Sequence, residues 1–254
     1  MTEREHQPAG VIGRTRKPSD AAVSLCTPAG VFTEWLRATR RAHQTDTDLD
    51  VPCGDCAACC ASSYFVHIRP DDAKTLRRVP AELLVPTPGA PKGHVVMGYD
   101  QHGRCPMLVE GRCSIYEERP LTCRLYDCRV FAAAGVDADR PAIIDRARTR
   151  VFDHPTEDDR RAHAAVCAAA AFLRRHPECF VGGARADSPA HRALLAVEVA
   201  DVFLDAAVGS GASAPGASEA DLVAAVLAAH EAFEAVRRSR DPLPQTLEGS
   251  RGVP

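Results

Sequence analysis

The chain has 254 residues, 11 of them cysteine, and a formal net charge of -3 at pH 7. A chain of this length can bury a core without disulfide staples, and its charge gives no electrostatic basis for binding nucleic acid or an anionic membrane. It shows neither the apolar core of a secretory signal at its N-terminus nor an apolar run approaching the roughly 18 to 20 residues that cross a bilayer. We therefore expect a cytoplasmic protein with no membrane partner, in whose reducing environment clustered cysteines favour metal or redox chemistry.

The N-terminal quarter of the sequence predicts a leader and a helix. Residues 1–26 mix proline, glycine and charged residues without periodicity, which is typical of disorder. Thr27 and Pro28 then provide an N-cap and a first helical position. The spacing of apolar residues after them predicts a helix with Trp35 as a packing anchor.

The middle of the chain predicts short strands. A strand is expected at 64–68, a brief helix from about 70 to 78 and a proline-rich loop at 80–92. Residues 94–99 and 104–109 are expected to pair as a hairpin, and a tight turn at 110–111 leads to a strand at 112–116. This arrangement places Cys105 and Cys113 on adjacent strands.

The rest of the sequence is mainly helical. A turn of helix is expected at 121–130 and longer helices at 139–152, 156–175, 188–208 and 218–238, with capping signals at Thr156 and Ser218. The segment 209–217 has the composition of a flexible linker.

Together these elements predict an α+β protein in which a small, loop-rich cysteine domain with short antiparallel strands precedes an α-helical portion. We expect a disordered leader at 1–26 and a metal-binding domain with an N-terminal helix at 27–135. The helical portion is expected at 136–239 and a flexible tail at 240–254.

Eight cysteines fall in two blocks separated by a spacer without cysteine. Two residues between cysteines let a turn direct both sulfurs at one metal, and the first block repeats this spacing twice. Zinc sites take such pairs from two segments, while iron–sulfur sites use the three-cysteine run with a remote cysteine often followed by proline, as in Cys105-Pro106. Zinc and iron both stay open. The predicted metal ligands are Cys53, Cys56, Cys59, Cys60, Cys105, Cys113, Cys123 and Cys128.

Basic and imidazole side chains near the blocks are further candidates. Four thiolates around Zn²⁺ or an oxidised four-iron cluster leave a net charge of about minus two, which favours a nearby cation. Arg119 and Arg124 either donate hydrogen bonds to the cofactor sulfurs or are ordinary solvated arginines. Reserve ligands are His67, His94 and His102, whereas isolated cysteines are expected to be ordinary thiols, namely Cys26, Cys167 and Cys179.

The order of the motifs resembles a known family. Cys53-x2-Cys56-x2-Cys59-Cys60, Cys105-Pro106-x-Leu108, Gly111-x-Cys113-x-Ile115-Tyr116 and Arg119-Pro120-x2-Cys123-Arg124 with Cys128 are similar to the YkgJ-like CxxCxxCC cysteine-cluster family. The resemblance covers about residues 50 to 130 and implies a zinc- or iron-chelating domain. Flagellin lysine methylases carry a related cluster, but the resemblance implies no agreed reaction.

Three functions fit these observations. The first is a non-catalytic iron or zinc binder, the second an iron–sulfur redox enzyme or group-transfer accessory, and the third an interaction module folded by zinc. Neighbouring side chains point in opposite directions in extended backbone, so Cys59 and Cys60 are expected to have different roles. Cys59 completes the run Cys53-x2-Cys56-x2-Cys59 and is expected to bind its metal. Cys60 is expected to face a second site or to remain a free thiol, so one site and two sites both stay open.

Overall fold

The computed structural model describes residues 26–49, 51, 53–181, 186–204 and 218–239. The predicted linker, the predicted tail and all of the predicted leader except Cys26 lie outside these ranges. The described helices are α1 (Phe32–Thr45), α2 (Ala73–Arg78), α3 (Leu121–Leu125), α4 (Arg129–Ala134), α5 (Pro141–Arg148), α6 (Glu157–Arg175), α7 (Pro189–Val199) and α8 (Glu219–Arg238). Within the described ranges, no helix has the length and apolar character needed to cross a membrane.

Short strands form three small sheets within the part of the chain that the structure describes. The strands are β1 (Thr27–Val31), β2 (Val66–Ile68), β3 (Leu84–Pro86), β4 (Val95–Met97), β5 (Leu108–Val109), β6 (Arg112–Cys113) and β7 (Arg150–Asp153). The order β2-β4-β3 gives an antiparallel sheet, β5 and β6 form an antiparallel hairpin, and β1 pairs with β7 in parallel. The protein is therefore α+β, with most strands in the N-terminal half and most helical residues after them, as predicted.

The main apolar core lies among the helices. Its buried side chains include Phe32 of α1, Phe131 of α4 and Leu173 of α6, and Phe152 of β7 belongs to the same core. A separate, smaller cluster underlies the three-stranded sheet and is built around Ile68, Val79, Met97, Met107 and Ile115. The short strands thus have little apolar support of their own, while α1 shares one core with the C-terminal helices.

The predicted start of the first helix at Thr27 and Pro28 is wrong. These residues belong to β1, and the helix begins at Phe32. The backbone N–H of Thr27 donates to the carbonyl of Thr149 over 2.7 Å, and the register shifts between Pro28 and Gly30, whose φ is +91°. Pairing with a distant strand therefore overrides a local capping signal, and the predicted helix at 139–152 likewise ends at Arg148 to release β7.

The predicted hairpin between 94–99 and 104–109 is also wrong. The turn between them is present, since the N–H of Asp100 donates to the carbonyl of Arg104 over 2.8 Å. However, β4 is already paired with β2 on one edge and with β3 on the other. Because β3 arises from the predicted loop at 80–92, no free edge of β4 remains, and residues 108–109 pair across the next turn with 112–113.

The capping predictions for the long helices are confirmed. Thr156 and Ser218 each accept the N–H of the third helical residue, and that residue's carboxylate accepts the N–H of the cap. Ser188 caps α7 with Pro189 at its first position. These signals act within one turn, so distant pairing does not alter them.

Candidate metal centre

The first cysteine block folds as two successive turns. The N–H of Cys56 donates to the carbonyl of Cys53 over 2.8 Å, with Gly54 at a φ of +52°. A 3-10 helix then spans Cys59–Ala61. This local geometry keeps the four thiols of the block partly buried on a short length of backbone.

The second block meets the first through a backbone hydrogen bond. The N–H of Cys105 donates to the carbonyl of Cys60 over 2.7 Å. After a turn closed by the N–H of Leu108 on the Cys105 carbonyl, Leu108 pairs with Cys113 across β5 and β6. Cys113 therefore returns beside the segment that holds Cys105 and Cys60.

Cys123 and Cys128 lie on either side of the break between α3 and α4. Cys123 lies within α3, and Cys128 immediately precedes α4. The start of α3 is fixed by the buried carboxylate of Asp72, which accepts the N–H of Leu121 over 2.9 Å. The break at 126–128 therefore separates Cys123 and Cys128, which lie on different helical segments.

Burial raises the pKa of most of these thiols. The pKa of Cys105 is raised to about 11 and that of Cys123 to about 12, in both cases chiefly by burial and further by neighbouring thiolates. The pKa values of Cys53, Cys113 and Cys128 are also raised, mainly by burial. A metal cation reverses this balance, because thiolate ligands release their protons when they bind it.

The pKa values of the adjacent thiols Cys59 and Cys60 are shifted in opposite directions. A hydrogen bond between the two side chains raises the pKa of Cys59 and lowers the pKa of Cys60 to about 7. Further contributions to Cys59 come from burial and from the charges of Cys60, Cys123 and Cys53. The adjacent thiols therefore have unequal environments.

The two predicted arginines near the sulfurs, Arg119 and Arg124, have different partners. The charge of Arg119 lowers the pKa of Cys53, Cys113 and Cys123 against the larger effect of burial, while its guanidinium lies 4.0 Å from the Tyr116 ring centroid. Arg124 instead forms ion pairs with Asp48 and, at 3.1 Å, with Asp72.

One relevant arginine lies outside both blocks. Arg150 on β7 is buried, donates a hydrogen bond to Cys128 and lowers its pKa against the larger effects of burial and of Asp127. Sequence reasoning missed this residue, since 22 positions separate the two and only the long-range pairing of β1 with β7 brings Arg150 inward. No local sequence signal indicates this contact.

The reserve histidines and the isolated cysteines have other partners. The Nε2 of His67 and the Nδ1 of His94 are 2.9 Å apart, and His102 is exposed beside Asp100. Cys26 is exposed, the Sγ of Cys167 lies 3.4 Å from the carbonyl of Ala133, and Cys179 is buried in the main core.

The donor set suits a metal that prefers sulfur. All eight clustered cysteines are reduced and partly buried, and thiolate ligands favour Zn²⁺ and iron–sulfur clusters. Among the residues that the structure describes, no group of three or more His, Cys, Asp or Glu side chains forms a ready metal-binding arrangement. The case for a metal therefore depends on the thiol donors themselves and not on a preformed coordination geometry.

Comparison with known families agrees with this chemistry. Residues 52–168 match the family model CxxCxxCC, described as "Putative zinc- or iron-chelating domain". The match covers 117 of the 254 residues and confirms the resemblance of the cysteine motifs to that family. The match supports metal binding by this segment, with zinc or iron as the metal. Searches of curated proteins and of solved structures gave no significant match.

Proposed function

We propose that the protein binds zinc or iron directly through the eight clustered cysteines and acts as a metal-handling or metal-stabilised module. The observation that carries this proposal is the hydrogen bond from the N–H of Cys105 to the carbonyl of Cys60. It joins the backbones of the two cysteine blocks, which are 45 positions apart at these residues. Such pairing of cysteines from two segments is typical of thiolate metal sites.

An iron–sulfur form with a redox or group-transfer role is the second candidate. It is favoured because Cys105, which precedes Pro106, is joined to the end of the three-cysteine run. A run of this kind with a Cys-Pro partner is typical of iron–sulfur ligation. In that form, Arg119 would offset part of the negative charge that the thiolates and sulfides carry. Either form requires reduced thiols, which supports a location in the cytoplasm.

The deciding experiment is anaerobic purification of the full-length chain, followed by measurement of zinc, iron, acid-labile sulfide and the visible spectrum. A colourless protein with stoichiometric zinc supports the first form, and absorption near 400 nm with sulfide supports the second. The matched variants are Cys113→Ser, which should lose metal, and Cys26→Ser, which should retain it. A protein without metal that also fails to bind added Zn²⁺ or Fe²⁺ after reduction would refute the proposal.

A further inference from the structure

A surface groove along α1 is lined by arginines and lies outside the cysteine blocks. Its volume is about 350 Å³, which falls in the range of small-molecule sites. The described lining is one stripe of α1 whose members follow each other at helical spacing, namely Thr33, Leu36, Arg37, Arg40, Arg41 and Gln44. No cysteine and no carboxylate of the described residues is part of this lining. The groove is therefore a candidate site for an anion.

Arg40 is held in place by the end of α7. Its Nε donates to the carbonyl of Val197 over 2.7 Å, and its Nη1 donates to the two carboxylate oxygens of Asp201 over 2.9 and 3.0 Å. Only 20% of the Arg40 side chain is exposed. Its Nη2 is buried and has no hydrogen-bond partner among the described residues. Arg40 is thus a positioned guanidinium that keeps an unused donor.

Arg37 and Arg41 are exposed and unpaired. Neither guanidinium has an ion pair or a hydrogen bond within the described part of the chain. The two side chains lie one turn apart on α1, where like charges repel each other. Glu34 is the only carboxylate of α1, so the helix does not balance its own three arginines. The groove therefore has two unbalanced positive charges close together.

The charge and spacing of this pair match a phosphoryl group. A phosphate ester carries a charge of about −1.5 to −2 at pH 7 and offers three strong acceptor oxygens. Residues one turn apart have Cβ atoms roughly 5–6 Å from each other, so Arg37 and Arg41 can reach one such group from two sides. Guanidinium groups bind phosphate oxygens through paired hydrogen bonds. One phosphoryl group would thus neutralise both unpaired arginines.

The remaining lining favours an organic phosphate over inorganic phosphate. Leu36, which is 7% exposed, gives the groove an apolar surface that an organic body can cover. Gln44 offers an amide that can donate or accept at one end. At the other end, the hydroxyl of Thr33 already donates to Asp159 over 2.7 Å.

We infer that this groove binds a small soluble phosphate monoester. Its phosphoryl group lies between Arg37 and Arg41, and its organic body covers Leu36 toward Gln44. Arg40 adds a fixed positive edge behind the phosphoryl group. The inference concerns α1 alone and does not depend on the proposed metal binding.

The test is calorimetric titration of the anaerobically purified full-length chain with phenyl phosphate. Wild type should bind one equivalent. Arg37→Met/Arg41→Met should weaken binding roughly tenfold or more, because it removes hydrogen bonds to a charged group. The matched control is Arg77→Met/Arg174→Met, which removes the same charge from exposed positions of α2 and α6 and should bind like wild type. Far-UV circular dichroism checks that both double variants are folded.

Two further measurements separate recognition in the groove from general attraction. Phenyl sulfate has the same organic body and one negative charge, so it should bind more weakly than phenyl phosphate. In ¹H–¹⁵N spectra, phenyl phosphate should shift the Nε–H resonances of Arg37 and Arg41, which the single Met variants assign. Absence of saturable binding by wild type, or an equal loss of affinity in the groove and control variants, would overturn the inference. Binding to phosphatidic acid vesicles without binding to phenyl phosphate would also overturn it.

Discussion

The indole Nε1 of Trp35 donates a hydrogen bond over 2.9 Å to the carboxylate of Asp127, the residue that precedes Cys128. Both side chains are buried, and the same carboxylate accepts from the Nε of Arg129 at 2.8 and 3.0 Å. Trp35 also packs on Phe32 and Phe152, with ring centroids 5.6 and 4.9 Å away. The predicted packing anchor is therefore also a polar link between α1 and the second cysteine block.

Trp35→Phe should lower the free energy of unfolding by roughly 1 to 3 kcal/mol, because it removes the donor from a buried acceptor while retaining an aromatic ring. Urea unfolding followed by far-UV circular dichroism measures this change without relying on tryptophan fluorescence. Val151→Ala, at an exposed position of β7, is the matched control and should change the free energy little. Equal stability of Trp35→Phe and wild type would show that the link contributes nothing.

Arg150→Met should speed the release of metal to a chelator. The change removes a buried cation that donates to Cys128, and loss of a partner that supports a metal ligand typically weakens metal affinity roughly 10- to 100-fold. Arg148→Met is the control, since Arg148 is exposed and pairs with Asp137 at 2.7 Å. Chelator competition with a chromogenic indicator measures the release. Identical release rates for the two variants would show that Arg150 does not support metal binding.

The attachment of α8 should depend on pH through His176. Its Nδ1 lies 2.7 Å from the carboxylate of Glu178, and its Nε2 lies 2.7 Å from that of Glu219 at the start of α8. The imidazole can donate to both carboxylates at the same time only when it is protonated. These hydrogen bonds, that of Glu178 first, raise the pKa of His176 above its ordinary value of 6.5. The stabilisation is therefore complete below pH 6.5 and is lost as pH rises through the raised pKa.

Glu219→Gln tests this dependence. The difference in urea midpoint between wild type and the variant should be larger at pH 6 than at pH 8.5, because only the protonated imidazole gains from the carboxylate charge. Glu157→Gln, which disrupts an exposed pair with Arg160, serves as the control and should show no comparable change with pH. A difference that grows with pH would contradict the assigned role of His176.

The two capping boxes should differ in their contribution to stability. Asp159 accepts from its own cap at Thr156 and also from the N–H and hydroxyl of Thr33, whereas Asp221 accepts from Ser218. Asp159→Ala should therefore destabilise the protein more than Asp221→Ala, because it also releases α1 from α6. Thermal unfolding of the two variants at pH 7 makes the comparison.

Both carboxylates should also contribute to acid sensitivity. Hydrogen bonds from the cap side chains lower the pKa of Asp159 and of Asp221 below the ordinary value of 3.8. Their stabilisation is complete above that value and is lost as pH falls through the lowered pKa. The two variants should therefore approach wild-type stability in strong acid, and a difference that stays constant down to pH 2 would argue against the carboxylate bonds.

Local signals predicted local structure well. The predicted caps at Thr156 and Ser218 depend on side chains within one helical turn, and both are present. The pairing of β1 with β7 joins Thr27 to Arg150, and no pattern within either segment specifies a partner so far along the chain. For the same reason, Arg150 could not be identified as a neighbour of Cys128 from the sequence.

The cysteine spacing predicted the donors but not their surroundings. Spacing alone indicates that two blocks contain metal ligands, since short turns bring their sulfurs together. The position of the second cysteine block relative to Cys60 depends on the strand pairing around it, in which β2 and β3 occupy both edges of β4. Which strands pair depends on all the strands of the sheet together, so the sequence of one segment cannot predict it.

Metal removal should loosen the cysteine region before the helices. Residues 53–128 have only a small apolar cluster and strands of two or three residues, so metal binding supplies part of their folding free energy. The helices α6 and α8 begin with capping boxes, and α6 packs throughout the main core. Hydrogen exchange after verified chelation should therefore show lost protection at 53–128 while α6 retains most of its protection. Readdition of Zn²⁺ should restore the protection, and unchanged exchange at 53–128 in verified metal-free protein would show that the metal is not structural.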